Sequence, residues 1–140
     1  MAIIYQSDDI KFPKIKRREI SNWIKSVAAS YNKKIGEIAC VFCSDKKILE
    51  INMQYLNHDY YTDIITFDYS EGNIISGDLF ISLDTVHSNA EKFATNYNEE
   101  LCRVIIHGIL HLCGFNDKSA EEEKVMREKE NEALWFLTTT

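Results

Sequence analysis

Apolar residues recur along the chain with two periods, about 3.6 and 2, and each change of period marks a new element. IIYQ near the start reads as a short strand. The single proline, Pro13, suits the first turn of a helix reaching about Tyr31, with Ile20, Trp23, Ile24 and Val27 on one face. GEIACVFC is a second strand. SDKKILEINMQYLN is a helix capped by Ser44 or Asp45, with Ile48, Leu49, Ile51 and Leu56 among its buried residues. TDIITFDYS and SGDLFISLD alternate like strands, and the turn residues of EGN join them. DTVHSNAEKFATN is helical, a very apolar helix follows Asn98, and Ser119 with Glu122 forms a capping box for a last helix reaching about Leu137. Strands and helices alternate first and helices accumulate at the end, which predicts one mixed sheet with helices packed on it.

The pattern contains no internal repeat, low-complexity tract or linker, and 140 residues correspond to about one domain with room for a real core. With 45% hydrophobic and 27% charged residues the composition is that of an ordinary globular protein. MAIIYQSDDIKF lacks the basic leader and apolar run of a secretory signal, and no stretch is apolar for the length of a membrane span. The expectation is a cytoplasmic protein, away from the membrane, whose Cys40, Cys43, Cys102 and Cys113 are reduced. Cys40 and Cys43 form a C-x-x-C, but residues three apart on a strand point to opposite faces, so they read as buried structural thiols.

Net charge is −6, which argues against a surface coated for nucleic acid, yet the charge is uneven. Lys11, Lys14, Lys16, Arg17, Arg18, Lys25, Lys33 and Lys34 stand against Glu19 alone, a local balance of +7 that leaves −13 for the rest. Such asymmetry is compatible with a basic face for a phosphate backbone, or with a solvated helix face.

Chemistry concentrates in NEELCRVIIHGILHLCGFND, residues 98–117. His107 and His111 are four apart, so on a helix they share a face with Cβ atoms about 5–6 Å apart and can both reach one ion at about 2.0–2.1 Å. Gly114 allows the helix to end in a left-handed turn, after which the chain can bring Asp117 back to the histidines. The pattern H-x-x-x-H-x-x-G-x-x-D has the spacing of the extended zincin motif with two changes. Gly108 stands where metallopeptidases carry their glutamate, which removes the general base and weakens a peptidase reading. A carboxylate at the third position lowers the net charge of a zinc site from about +2 to about +1. It also makes manganese or iron more plausible than an all-histidine site would. The competing reading of the two histidines is as core residues satisfied by backbone or carboxylate partners.

The stretch from Glu100 to Phe115, E-x-x-R-V-x-x-H-G-x-L-H-L-x-G-F, resembles the signature of the YbeY family of metal-dependent endoribonucleases and ribosomal RNA maturation factors. Thr62 to Phe67 (TDIITF) resembles the family's T-D-V-L-S-F, and Gly77 to Ser82 (GDLFIS) its G-D-I-x-I-S, so the resemblance spans most of residues 1–140. It implies a single α+β domain with a mixed sheet of about four strands and about five helices, and a metal site on the penultimate helix. It further implies one zinc ion per chain, His107 and His111 as ligands, and Arg103 adding positive charge where a phosphate could pair with it. The implied activity is cleavage of single-stranded RNA by metal-activated water, in ribosomal RNA maturation and ribosome quality control, with RNA and the ribosome as partners.

Two departures bear on the site. The family's third ligand is the histidine of G-x-D-H; by straight count Asp117 replaces it, whereas an insertion at Asn116 would put Lys118 there, and the first alignment keeps the spacing from Gly114. Before Thr62 the family has a longer loop with an arginine, and here only His58, Asp59, Tyr60 and Tyr61 stand there. His58 could serve as proton donor or phosphate contact and Tyr60 or Tyr61 as a stacking surface. Asp63 and Asp78, expected at strand beginnings, could orient the ligands or only cap turns. Beside the nuclease stand a ribosome-associated RNA-binding or assembly factor with a structural metal, and a general metallohydrolase of small substrates.

Overall fold

Strand β2, Lys34–Cys43, runs through the middle of the molecule and buries residues on both of its faces. The computed structural model describes residues 2–56 and 62–139. β1 (Ala2–Ser7) lies on one side of β2 and β4 (Ile74–Ser82) on the other, both parallel to it; β3 (Ile64–Asp68) closes the far edge antiparallel to β4. Among the described residues the result is a four-stranded mixed sheet in the order β1-β2-β4-β3, with five helices, as the alternation of elements predicts. The fold is α+β in a single domain. No helix among the described residues is long and apolar enough to cross a membrane.

The helices are α1 (Arg17–Ser30), α2 (Asp45–Leu56), α3 (Leu83–Lys92), α4 (Tyr97–Leu112) and α5 (Ala120–Thr139). Ile38, Cys40 and Phe42 of β2 face the larger core with Leu79 and Ile81 of β4, where α1 and α4 cover the sheet. Cys43 turns to the other face and packs with Ile48 and Ile51 of α2 and Ile65 of β3. The two thiols therefore point to opposite faces, and burial pushes each up to about 12, which keeps them inert. Helix α4 is buried on nearly every side, with Leu101, Val104, Ile105, Ile109 and Leu112 among its core residues, and it touches α1, α3, α5, β3 and β4. Each of its fully buried isoleucines stabilises the fold by about 1.5–3 kcal/mol. The helix that carries the two histidines is thus among the least movable parts of the molecule.

Local chemistry sets the ends of the elements. Ser44 caps α2, its hydroxyl accepting from the Lys47 amide at 3.2 Å. Ser119 and Glu122 form the reciprocal capping box of α5, both bonds at 3.1 Å. Helix α4 begins at Tyr97, earlier than expected, because the Asn96 side chain accepts from the amides of Asn98 and Glu99.

Three expectations need correction. Helix α1 starts at Arg17, not at Pro13: Ile10, Phe12 and Ile15 anchor the preceding segment to the core, with Phe12 edge-on to Phe42 at 5.6 Å. Leu56 is 42% exposed at the end of α2 and Leu49 is half-buried, the buried residues of that helix being Ile48, Ile51 and Asn52. Asp78 lies in the middle of β4, not at a strand beginning, and accepts from the Tyr69 hydroxyl at 3.2 Å.

Candidate metal centre

Helix α4 ends in a paired-bond motif that aims the chain back at its own last turn. Gly114 takes a φ of +105°, its amide bonds the His111 carbonyl and the Phe115 amide bonds the Leu110 carbonyl, both at 3.0 Å. Phe115 then packs edge-on against Tyr31 at 5.0 Å. With that ring fixed, Asp117 returns to the imidazoles, as the glycine at 114 predicts.

His107 and His111 project from one face of α4 with their rings 4.6 Å apart. Their Nε2 atoms are 3.1 Å from each other, and Oδ2 of Asp117 stands 3.2 Å from Nε2 of His107 and 3.4 Å from that of His111. Two ligands about 2.0–2.1 Å from a tetrahedral ion are separated by about 3.3–3.4 Å. The three atoms thus match one face of a zinc tetrahedron, and two imidazole nitrogens with one carboxylate oxygen are an ordinary donor set for that ion. Among the described residues this is the one group of three or more such side chains close enough to hold a metal.

The back of the site is a charged chain. Nδ1 of His107 lies 2.7 Å from Oε2 of Glu130 on α5, and Oε1 of the same carboxylate accepts from Nη1 of Arg103 at 2.9 Å. The second Arg103 nitrogen donates to Asn131 at 2.8 Å. Donation from Nδ1 leaves Nε2 of His107 free for the metal, which fixes the tautomer a ligand needs. Burial alone would pull the His107 imidazole down, but the bond and charge of Glu130, with the charges of Asp63 and Asp117, hold it above its usual value. Burial would likewise raise Glu130; the hydrogen bonds from His107 and Arg103 overcome it and hold that carboxyl below its usual range. Helix α5 is held in register by the Trp23 indole, which donates to the Ala133 carbonyl at 2.8 Å less than one turn past Glu130.

Gly108 faces away from the histidines, into the sheet. A Cβ there would lie 2.8 Å from Ile64 Cδ1 and 3.0 Å from Leu79 Cδ2. At the position that carries a general base in metallopeptidases, any side chain here would press on the ends of Ile64 and Leu79.

Asp117 and both histidines line an open cleft of about 520 Å³ whose wall is Thr62–Thr66 with Asn52, Leu56 and Asp68. A smaller recess of about 270 Å³ adjoins it on the α5 side, bordered by Arg103, Arg127 and Glu130. Asp63 borders both, and burial raises its carboxyl above the usual range. Of the residues marked by sequence, the structure brings His107, His111 and Asp117 together and places Arg103 behind them, bound to Glu130. His58, Tyr60 and Tyr61 lie outside the described residues. Glu130 was not anticipated; its signal is an acidic residue on the buried stripe of α5, between Met126 and Ala133–Leu134.

Comparison with known proteins agrees with this geometry. A chain from Parabacteroides distasonis named endoribonuclease YbeY is 66% identical over 137 residues, covering 98% of this chain and 96% of that one. One of the same name from Porphyromonas gingivalis is 51% identical over 138 residues, covering 99% and 91%. The solution structure of a Thermotoga maritima protein superposes with a TM-score of 0.67 at 24% identity, covering 97% of this chain and 89% of that one, and so shares the fold. A family model described as endoribonuclease YbeY matches residues 3–138, and the chain belongs to that family.

Proposed function

We propose that this chain is a zinc-dependent, single-strand-specific endoribonuclease of the cytoplasm that acts on ribosomal RNA precursors in ribosome maturation and quality control. The observation that carries the reading is the triangle of His107 Nε2, His111 Nε2 and Asp117 Oδ2, with edges of 3.1–3.4 Å, opening onto the cleft beside β3. Bound there, zinc supplies Lewis-acid activation of water and of a phosphodiester oxygen. Everything else falls to the chain's own groups. Glu130 holds the His107 ring and its tautomer, and Arg103 fixes Glu130 while adding positive charge one turn from His107. His58 is assigned to a proton donor or phosphate contact. Asp63, bordering the ligands on both sides, orients the site.

Several features favour RNA over a peptide. Position 108 carries no base, the relatives are named as endoribonucleases, and the cleft is open, with polar and apolar groups in about equal measure, rather than a deep apolar pocket of the kind that suits small substrates. The test is cleavage of one RNA sequence, presented single-stranded and as a duplex, by zinc-loaded protein and by His111→Ala. Preferential cutting of the single strand, lost in the variant and on chelation and restored by zinc, is expected. RNA binding with no metal-dependent cleavage would instead favour a ribosome-associated assembly factor with a structural metal.

A further inference from the structure

At the sheet edge opposite the metal cleft, β1 is paired on one side only. The amide of Asp8 bonds the Phe42 carbonyl at 2.9 Å, and alternate residues of a strand direct their main-chain groups to opposite sides. Ala2, Ile4 and Gln6 therefore bond toward β2, and Ile3, Tyr5 and Ser7 direct N–H and C=O groups outward. A free edge of this kind is a template for an added strand.

The edge opens into a groove of about 520 Å³ between β1 and α1, lined by Ile3, Ile4, Tyr5, Arg17, Arg18 and Lys25, among others. No described residue lining it is acidic, in a chain whose net charge is −6. Arg17 is held in place over the Phe12 ring at 4.4 Å, and neither Arg18 nor Lys25 forms an ion pair among the described residues. Tyr5 is tied to Ser21 of α1 at 2.9 Å, so the helix stands beside β1, and its Arg17, Arg18 and Lys25 border the same groove as the strand. Ile4, which borders the groove at the strand edge, directs its side chain to the other face by strand alternation and is 46% exposed.

We infer that the β1 edge is a docking site for an extended acidic polypeptide segment of a partner protein, which adds a fifth strand to the sheet. Its alternate side chains divide by face. Those beneath α1 meet Arg17, Arg18 and Lys25 and carry carboxylates; those on the other face meet Ile4 and are apolar. A polypeptide fits better than RNA, because the edge offers donors and acceptors in alternation and an RNA backbone answers mainly with acceptors. A second copy of this chain fits worse, because pairing two β1 edges would bring the two sets of cations together.

The test titrates the full, metal-loaded chain with a capped peptide of about ten residues alternating glutamate and valine, followed by NMR amide shifts. Shifts confined to residues 2–7 and to α1 are expected. They should disappear for a peptide N-methylated at alternate residues and for one with lysine in place of glutamate. Arg18→Glu combined with Lys25→Glu should weaken binding about ten-fold or more, with circular dichroism and metal content retained as the check on folding. Equal binding of the lysine or N-methylated peptide would overturn the inference. So would displacement of the acidic peptide from these amides by oligouridylate, or self-association of the free chain through β1.

Discussion

Nδ1 of His107 lies 2.7 Å from Oε2 of Glu130, a contact made across 23 residues of sequence between two helices. It gives the metal centre a support that lies outside the three ligands. Glu130→Gln keeps the volume but removes the charge that aligns the ring. Zinc affinity should fall by about 10–100-fold with the fold intact, measured by competition with a chromophoric chelator.

The same pair sets a pH dependence in the metal-free protein. His107 is raised above its ordinary 6.5, so its contribution to stability is complete below 6.5 and is lost as pH rises through its folded value. Glu130 is lowered below its ordinary 4.5, so its contribution is present above 4.5 and is lost as pH falls through its folded value. The difference in Tm between metal-free wild type and Glu130→Gln should therefore be greatest between pH 4.5 and 6.5 and shrink on either side. Thermal unfolding across a pH series checks this.

Gly108→Ala should destabilise the protein by about 1–3 kcal/mol, because the new methyl would press on Ile64 and Leu79 between α4 and the sheet. Denaturant unfolding gives the number. Gly108→Glu should not create a peptidase, since the side chain would point into the core and not toward His107.

Ser119→Ala removes the hydroxyl that accepts from the Glu122 amide and should cost about 1 kcal/mol at the start of α5. Hydrogen exchange should show the loss confined to the first turn of that helix. Glu130 lies several turns further on, so zinc affinity should change little.

Much of this was legible from local chemistry. The histidine spacing, the glycine at 114 and the Ser119–Glu122 box each act within one or two turns, and each appears where its pattern predicts. The opposite facing of Cys40 and Cys43 followed from strand geometry in the same way. What escaped depends on contacts between distant segments. The start of α1 is set by Phe12 packing on Phe42, which overrides the preference of Pro13 for a first helical turn. Glu130 reads as one of many surface acids on α5 until that helix docks on α4. Arg103 as a charge beside the cleft came only from the family resemblance, and its engagement with Glu130 and Asn131 depends on the docking of α5.

The most direct measurement is the metal content, by elemental mass spectrometry, of protein purified without a metal-binding tag, beside Asp117→Ala. The geometry predicts about one zinc per chain in the wild type and its loss in the variant, because Asp117 supplies the third corner of the ligand triangle. No bound metal in the wild type, or full retention in Asp117→Ala, would contradict the three-ligand centre on which the nuclease reading stands.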